Sequence, residues 1–340
     1  GKREQKRKLM TDVFDSLRVR ISQVMITKRV GRIAELAGGT LRVTGLSKCS
    51  GLGDRVVIRG AGRPIGGEVL RLSKEGMTVL PDGPGDGLAI DDPVEIAGHA
   101  EISPDDSWIG RIIDPFGQPI DGRPLMPGPR PRSLRAAPPP PAERRGLGER
   151  LETGTAAFDT LLPLVRGQRI GLFAGSGVGK SSLLGKFARG VSADIVVIAL
   201  VGERGRELRE FTERVLGPQG MARAVVVTAT SDQSPLIRRR CMWTAMAVAE
   251  HFRDQGLHVL LLADSITRFA EAHREVALVA GEEGSLRGFP PSTSHTIMSL
   301  AERAGPGVDG TGDITAVFTV LVAGSDMEEP VADILRGVLD

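Results

Sequence analysis

Ala174-Gly175-Ser176-Gly177-Val178-Gly179-Lys180-Ser181 stands between an apolar run, Ile170-Gly171-Leu172-Phe173, and a helical stretch at 182–189. Strand, glycine-rich turn and helix in that order form a phosphate-binding loop of the Walker A pattern, with Ala174 where glycine is usual. The chemistry needs these residue types. Gly175, Gly177 and Gly179 let the backbone turn tightly and aim its N–H groups at phosphate oxygens. Lys180 reaches the terminal phosphates, and the Ser181 hydroxyl suits Mg2+. Ser176, Val178 and Ser182 complete the set expected to surround a bound nucleotide. A motif this short also arises as an ordinary glycine-rich turn, so the rest of the chain has to decide.

Downstream, Val259-Leu260-Leu261-Leu262-Ala263-Asp264 is an apolar run ending in one carboxylate, the Walker B form. A buried parallel strand delivers such a residue at its C-terminal end, where open α/β sheets bind ligands. Asp264 can there hold the Mg2+ shell through water; the alternative is an aspartate that only caps the next helix. Val201-Gly202-Glu203-Arg204-Gly205-Arg206-Glu207 follows another apolar strand. Sheet order can bring Glu203 beside the γ-phosphate as the carboxylate that polarises attacking water, although glutamates also suit the first turn of any helix. Arg268 lies one helical turn after Asp264, where it either faces the pocket and offsets developing charge or sits on the surface. Arg238-Arg239-Arg240 reads as a solvated or subunit-facing cluster rather than a phosphate contact.

From residue 151 onward, apolar strands are expected at 169–174, 194–201, 224–229, 258–263 and 315–322. They alternate with helices near 180–189, 205–215, 235–254 and 265–278. That alternation predicts an α/β, RecA-like P-loop domain with a parallel sheet covered on both faces, over residues 98–340. Before it, 21–97 consists of short β-type runs such as Thr40-Leu41-Arg42-Val43, Arg55-Val56-Val57-Ile58, Gly67-Glu68-Val69-Leu70 and Met77-Thr78-Val79-Leu80. Turn residues at intervals of roughly 8–12 predict a small N-terminal β barrel. A proline-rich stretch, 124–142, is expected to be an extended connector that cannot form a helix. At the start, Met10, Val13, Phe14 and Leu17 recur at helical spacing among Lys2, Arg3, Lys6, Arg7 and Lys8, predicting a basic amphipathic helix within 1–20.

Composition excludes several classes. The net charge of +2 creates no global field for nucleic acid. Tyrosine is absent and aromatics make up 4%, too few for a base-stacking surface. Cys49 and Cys241 are far apart with no zinc spacing, as in a reducing compartment. His99, His251, His258, His273 and His295 share no ligand spacing. No apolar run approaches a membrane span and no secretory signal is evident, which predicts a cytoplasmic location.

Taken together, several stretches closely resemble the flagellar protein export ATPases, the flagellar branch of the type III secretion ATPases, related to the catalytic β subunit of the rotary ATP synthases. These stretches are the P-loop, A-L-V-G-E-R-G-R-E-L-R-E-F (199–211), A-T-S-D-Q-S-P-L-I-R-R-R (229–240), A-E-H-F-R-D-Q (249–255), L-L-A-D-S-I-T-R-F-A-E-A-H-R-E (261–275) and R-G-F-P-P-S (287–292). The resemblance is dense from about residue 105 onward and weaker over the barrel. It implies Mg2+-dependent ATP hydrolysis energising flagellar protein export, with ATP and Mg2+ as ligands. Lys180 and Ser181 would be the Walker A ligands, Asp264 the Walker B carboxylate, Glu203 the catalytic carboxylate and Arg268 a γ-phosphate contact. It further implies a homohexamer with sites at subunit interfaces, peripheral to the membrane export apparatus. The implied partners are an export regulator on the N-terminal helix, a stalk protein, the membrane export gate, and exported substrates with their chaperones; nucleic acid is not among them. The family's trans-acting arginine, adenine-packing aromatic and helical C-terminal domain are expected beyond residue 340. Three readings compete: a virulence-type secretion ATPase, an RNA translocase of the termination-factor type, and a non-hydrolysing nucleotide-binding subunit. Glu203 counts against the last, since related non-catalytic subunits carry glutamine there.

Overall fold

A computed structural model describes residues 28–340 apart from 176, 323 and 325. The expected N-terminal helix within 1–20, and Ser176 of the P-loop, lie outside the described residues. Two compact units emerge. One comprises the described residues up to Asp105 together with Met126–Ser133; the other comprises Asp106–Leu125 and Leu134–Asp340.

The first unit is a closed antiparallel barrel. Its strands are β1 (Val30–Ala37), β2 (Thr40–Thr44), β3 (Arg55–Ile58), β4 (Ile65–Leu72), β5 (Met77–Pro81) and β6 (Pro93–Gly98), in the order β1-β2-β5-β4-β3-β6. Alternation writes the inner face: Leu41 and Val43 on β2, Val56 and Ile58 on β3, and Met77 and Val79 on β5 are all buried. Gly38 and Gly39 join β1 to β2 with positive φ at both positions (57° and 77°), which a two-residue hairpin of matching twist requires. Closure comes from β1 and β6, which the quoted runs do not include. A short ladder pairs β7 (Glu101–Ile102) with β9 (Arg132–Ser133). The proline-rich stretch departs from expectation at its end: Pro141–Glu143 forms a 3-10 turn, with proline in the first position where no N–H is needed.

The second unit carries a six-stranded, all-parallel sheet in the order β10-β14-β13-β11-β12-β8. Its elements are β8 (Arg111–Ile113), α1 (Ala156–Thr160), β10 (Arg169–Ala174), α2 (Lys180–Gly190), β11 (Ile195–Glu203) and α3 (Gly205–Glu210). They continue with α4 (Gly217–Met221), β12 (Ala224–Thr230), α5 (Pro235–Arg253), β13 (His258–Asp264), α6 (Ile266–Val279), α7 (Ser292–Ala301), β14 (Asp313–Leu321) and α8 (Pro330–Arg336). Every residue of β13 is buried, as are the first seven of β11 and the first eight of β14, because helices cover both faces. β8 is the strand the sequence pattern hid. It has three residues, too few to show a period, and precedes the proline-rich stretch, yet it extends the sheet beside β12. The helix expected over 205–215 changes winding: α3 runs into a π-helical turn, Phe211–Leu216, and ends at Gly217, whose φ is +61°. Among the described residues no helix is long and apolar enough to cross a membrane.

Candidate nucleotide-binding and catalytic site

Parallel strands bring all their C-terminal ends to one edge, and chemistry-bearing residues follow β10, β11 and β13 there. After β10 the chain turns through Gly177 (φ 77°) and Gly179 (φ 90°), a backbone conformation that side chains with a Cβ rarely adopt. Gly179 is the N-cap of α2 and has no side chain to cap it. The first N–H groups of that helix are therefore open to an anion. Val178 is exposed on the loop, and Ser181 and Ser182 are exposed at the start of the helix.

Lys180 and Asp264 meet directly. Lys180 Nζ donates to Asp264 Oδ1 at 2.5 Å, and the buried Thr319 hydroxyl on β14 donates to the same oxygen at 2.8 Å. The carboxylate side chain is 4% exposed and the lysine 12%. Ser265 begins α6 by accepting the N–H of Arg268 at 3.2 Å, so Asp264 is not the residue that caps this helix. A serine hydroxyl and a carboxylate oxygen are hard donors. They fit Mg2+, which binds through one or two protein oxygens and completes its shell with water and phosphate.

Glu203 is aimed by a bulge. Pairing of β11 with β12 slips between Val201 and Glu203, where Gly202 adopts φ 70°, and the Glu203 carbonyl accepts the Ser231 N–H at 3.0 Å. Bulges at strand ends re-aim side chains in this way. Burial raises the Glu203 carboxyl to about 7; the hydrogen bond with Glu207 and the negative charge of Asp264 add to the rise, and Lys180 opposes it. Glu207 moves the other way, held below the usual carboxylate range chiefly by its hydrogen bond with Glu203. Arg268 completes the group. Its Nη1 donates to Glu271 at 3.1 Å, and its stem runs past Gly202, where an added Cβ would lie 3.6 Å from Arg268 Cδ.

Gly179, Lys180, Ser181, Glu203 and Arg268 line one cleft of about 1020 Å3. A smaller cavity of about 240 Å3 lies against Asp264 and Glu203, backed by Leu200 and Phe211. Sequence reading missed Thr319 and Glu207. Thr319 had a faint signal, a hydroxyl near the end of an otherwise apolar strand; Glu207 stood in the quoted stretch without a role. The arginine triple needs correction. Arg239 and Arg240 are buried, not solvated. Arg239 lies over the Trp243 ring, and Arg240 lies over Phe116 while donating to the Pro115 carbonyl at 2.9 Å. Only Arg238 reaches the cleft wall, and it is paired with Glu275. Aromatic faces and a turn carbonyl make this burial tolerable. Among the described residues no group of three His, Cys, Asp or Glu side chains is placed to hold a metal by itself.

Comparison with known proteins agrees with this geometry. Residues 154–340 match the model of the ATP synthase alpha/beta family, nucleotide-binding domain. The flagellum-specific ATP synthase of Agrobacterium fabrum is 47% identical over 311 residues, covering 91% of this chain and 66% of that protein. The type 3 secretion system ATPase of Xanthomonas euvesicatoria is 40% identical over 321 residues, covering 94% and 72%. Among solved structures, the assembled ATPase EscN in complex with its central stalk EscO, from the enteropathogenic E. coli type III secretion system, superposes with a TM-score of 0.82. It is 38% identical, covering 91% of this chain and 74% of that one. The chain thus spans about two thirds of the length of the first of these relatives. A P-loop, a strand-end aspartate and a bulge-presented glutamate on one parallel sheet, with matches of this extent, place the chain in the ATP synthase alpha/beta family.

Proposed function

We propose that this protein hydrolyses ATP with Mg2+ and that the hydrolysis energises flagellar type III protein export. The observation that carries the reading is the convergence of Lys180, Glu203 and Arg268 on one cleft that the open N-terminus of α2 also lines, with Asp264 paired to Lys180 and lining a smaller cavity that shares Ser181 and Glu203. The triphosphate seats against the N–H groups of that helix, and Lys180 turns from Asp264 toward the terminal phosphates. Ser181 and Asp264 would hold Mg2+, which would supply charge neutralisation for the phosphates. Glu203 orients a water in line with the γ-phosphorus and accepts its proton as the new P–O bond forms and the bond to ADP breaks. Arg268 exchanges Glu271 for the charge that develops on the γ-phosphoryl oxygens. Such a site works by positioning and electrostatics.

EscN is described as assembled and in complex with a central stalk. That likeness supports an oligomer with a stalk partner for this protein; a homohexamer with a catalytic arginine supplied in trans belongs to the same proposal. The export regulator on the N-terminal helix, the membrane gate, and substrates with chaperones belong to the same reading, as does a place on the cytoplasmic face of the export apparatus. The flagellar assignment rests on the G-S-G-V-G-K-S loop and the 229–255 stretch, since identity alone does not separate the branches: flagellum-specific relatives run from 39% to 47% and the secretion-system ATPase stands at 40%. A chromosomal Glu203→Gln substitution in the source organism tests it. The expected result is loss of flagellar filaments and swimming, with any injectisome secretion intact. Filaments retained while effector secretion fails would assign the protein to the virulence branch.

A further inference from the structure

Helix α2 presents the phosphate-binding end to the cleft, so whatever fixes its other end also fixes the cradle. That other end is held by Arg223, which stands just before β12. Its Nε and Nη2 donate to the Ala188 carbonyl at 3.2 and 2.8 Å, Nη2 also donates to Val191 at 2.8 Å, and Nη1 donates to Ala193 at 2.7 Å. These are carbonyls of the last turn of α2 and of the segment leaving it, groups that a helix end leaves without intrahelical partners. The guanidinium is half-buried, and among the described residues no carboxylate answers its charge; the carbonyl dipoles at the negative pole of the helix do so instead. The backbone carbonyl of Arg223 accepts the Val196 N–H at 2.9 Å. One residue therefore ties the end of the P-loop helix to the start of β11, the strand that carries Glu203. The helix is close-fitted along its length as well: a Cβ at Gly185 would collide with Val215, and one at Gly190 with the Thr153 carbonyl.

We infer that Arg223 is a positioning residue for nucleotide binding, a latch that sets the axial and rotational placement of the P-loop helix against the β11–β12 edge. The inference rests on the proposed function, because it assigns the latch to a phosphate site. An 11-residue helix is a rigid lever, about 16 Å long at 1.5 Å per residue. A small tilt or slide at the 188–193 end moves Lys180 and the N–H cradle by a comparable amount, and tenths of an ångström matter for such contacts.

The test uses the full-length protein as wild type, Arg223→Met, Arg223→Lys and Ile297→Ala. The last removes buried side-chain volume from α7 and serves as a stability control. Affinity for Mg-ATP is read by displacement of a fluorescent nucleotide, ligand-free stability by thermal unfolding, and protection of the 180–190 amides by hydrogen exchange. Arg223→Met is expected to weaken ATP binding about tenfold, about 1.4 kcal/mol, and to speed exchange across α2. Arg223→Lys should recover about half of the lost binding energy through the one or two carbonyls it reaches. Ile297→Ala, for a similar fall in unfolding midpoint, should leave affinity within about twofold and α2 protected. Wild-type affinity in Arg223→Met, or an equal loss in Ile297→Ala, would overturn the latch. A wild type that binds no ATP contradicts the proposed function instead. The latch is then judged by exchange alone, and unchanged α2 protection in Arg223→Met defeats it.

Discussion

Replacing Lys180 by Met should cost stability in the absence of nucleotide, not only binding in its presence. The Lys180–Asp264 pair sits at 2.5 Å with side chains 12% and 4% exposed. Truncating one partner of a fully buried pair costs about 3–5 kcal/mol, because the other charge is left without a counter-ion. Here the lysine opens onto the cleft, and Thr319 keeps its hydrogen bond to Asp264 Oδ1. The loss should therefore lie below that range, at about 2–3 kcal/mol. Asp264→Asn keeps an acceptor for Thr319 and leaves an ammonium that water in the cleft can reach, so about 1 kcal/mol is expected. The double variant removes both charges and should lose about 1–2 kcal/mol in all, a coupling of about 2 kcal/mol. Urea unfolding followed by intrinsic tryptophan fluorescence is the assay. The chain's two tryptophans, Trp108 and Trp243, both belong to the second unit, so the signal reports the unit in question. Losses that add to within about 0.5 kcal/mol in the double variant would refute the argument that the pair is a desolvated, interdependent unit.

Three further outcomes follow from the same geometry. Glu203, raised from 4.5 to about 7, keeps in the native state a proton that the unfolded chain releases. Its contribution is present below the ordinary glutamate range and lost as pH climbs through about 7, so wild type should lose thermal stability relative to Glu203→Gln between pH 5 and pH 8; parallel curves would remove the cause. Gly202→Ala forces a side chain into φ 70° beside the Arg268 stem. It should cost about 1–2 kcal/mol and lower kcat at least about tenfold while ATP affinity stays within about threefold, because Glu203 is re-aimed; unchanged kcat in steady-state assays would contradict the role of the bulge. Arg303→Met leaves the Glu250 carboxylate buried and unpaired, the two side chains being 3% and 4% exposed. A loss of about 3–5 kcal/mol is expected, partly recovered by adding Glu250→Leu; both are read by chemical denaturation.

Much of this architecture was legible in the sequence for physical reasons. Fully buried parallel strands read as unbroken apolar runs, which is why the expected strands 194–201 and 258–263 match β11 (Ile195–Glu203) and β13 (His258–Asp264) to within two residues at each end. The P-loop was legible because only glycine takes the backbone angles of Gly177 and Gly179 readily. What stayed hidden depends on tertiary partners. β8 is a strand only because β12 lies beside it, and three residues carry no period. Arg239 and Arg240 looked solvated because charge normally is; Phe116 and the Pro115 carbonyl, distant in sequence, take Arg240 inside, and Trp243, one turn along α5, covers Arg239. Thr319 joins the site through a register between β13 and β14 that no local pattern records. Glu203 was found by its position after an apolar strand, but its bulge and its bond with Glu207 came only with the fold.

Steady-state hydrolysis of Mg-ATP per chain, measured against protein concentration for the full-length protein and for its Glu203→Gln form, tests the role of Glu203 most directly. A rate that climbs with concentration in wild type and collapses in the variant, with ATP binding retained, is the predicted result. Equal, concentration-independent rates in both would take Glu203 out of the chemistry and leave the cleft a nucleotide-binding site without turnover of its own.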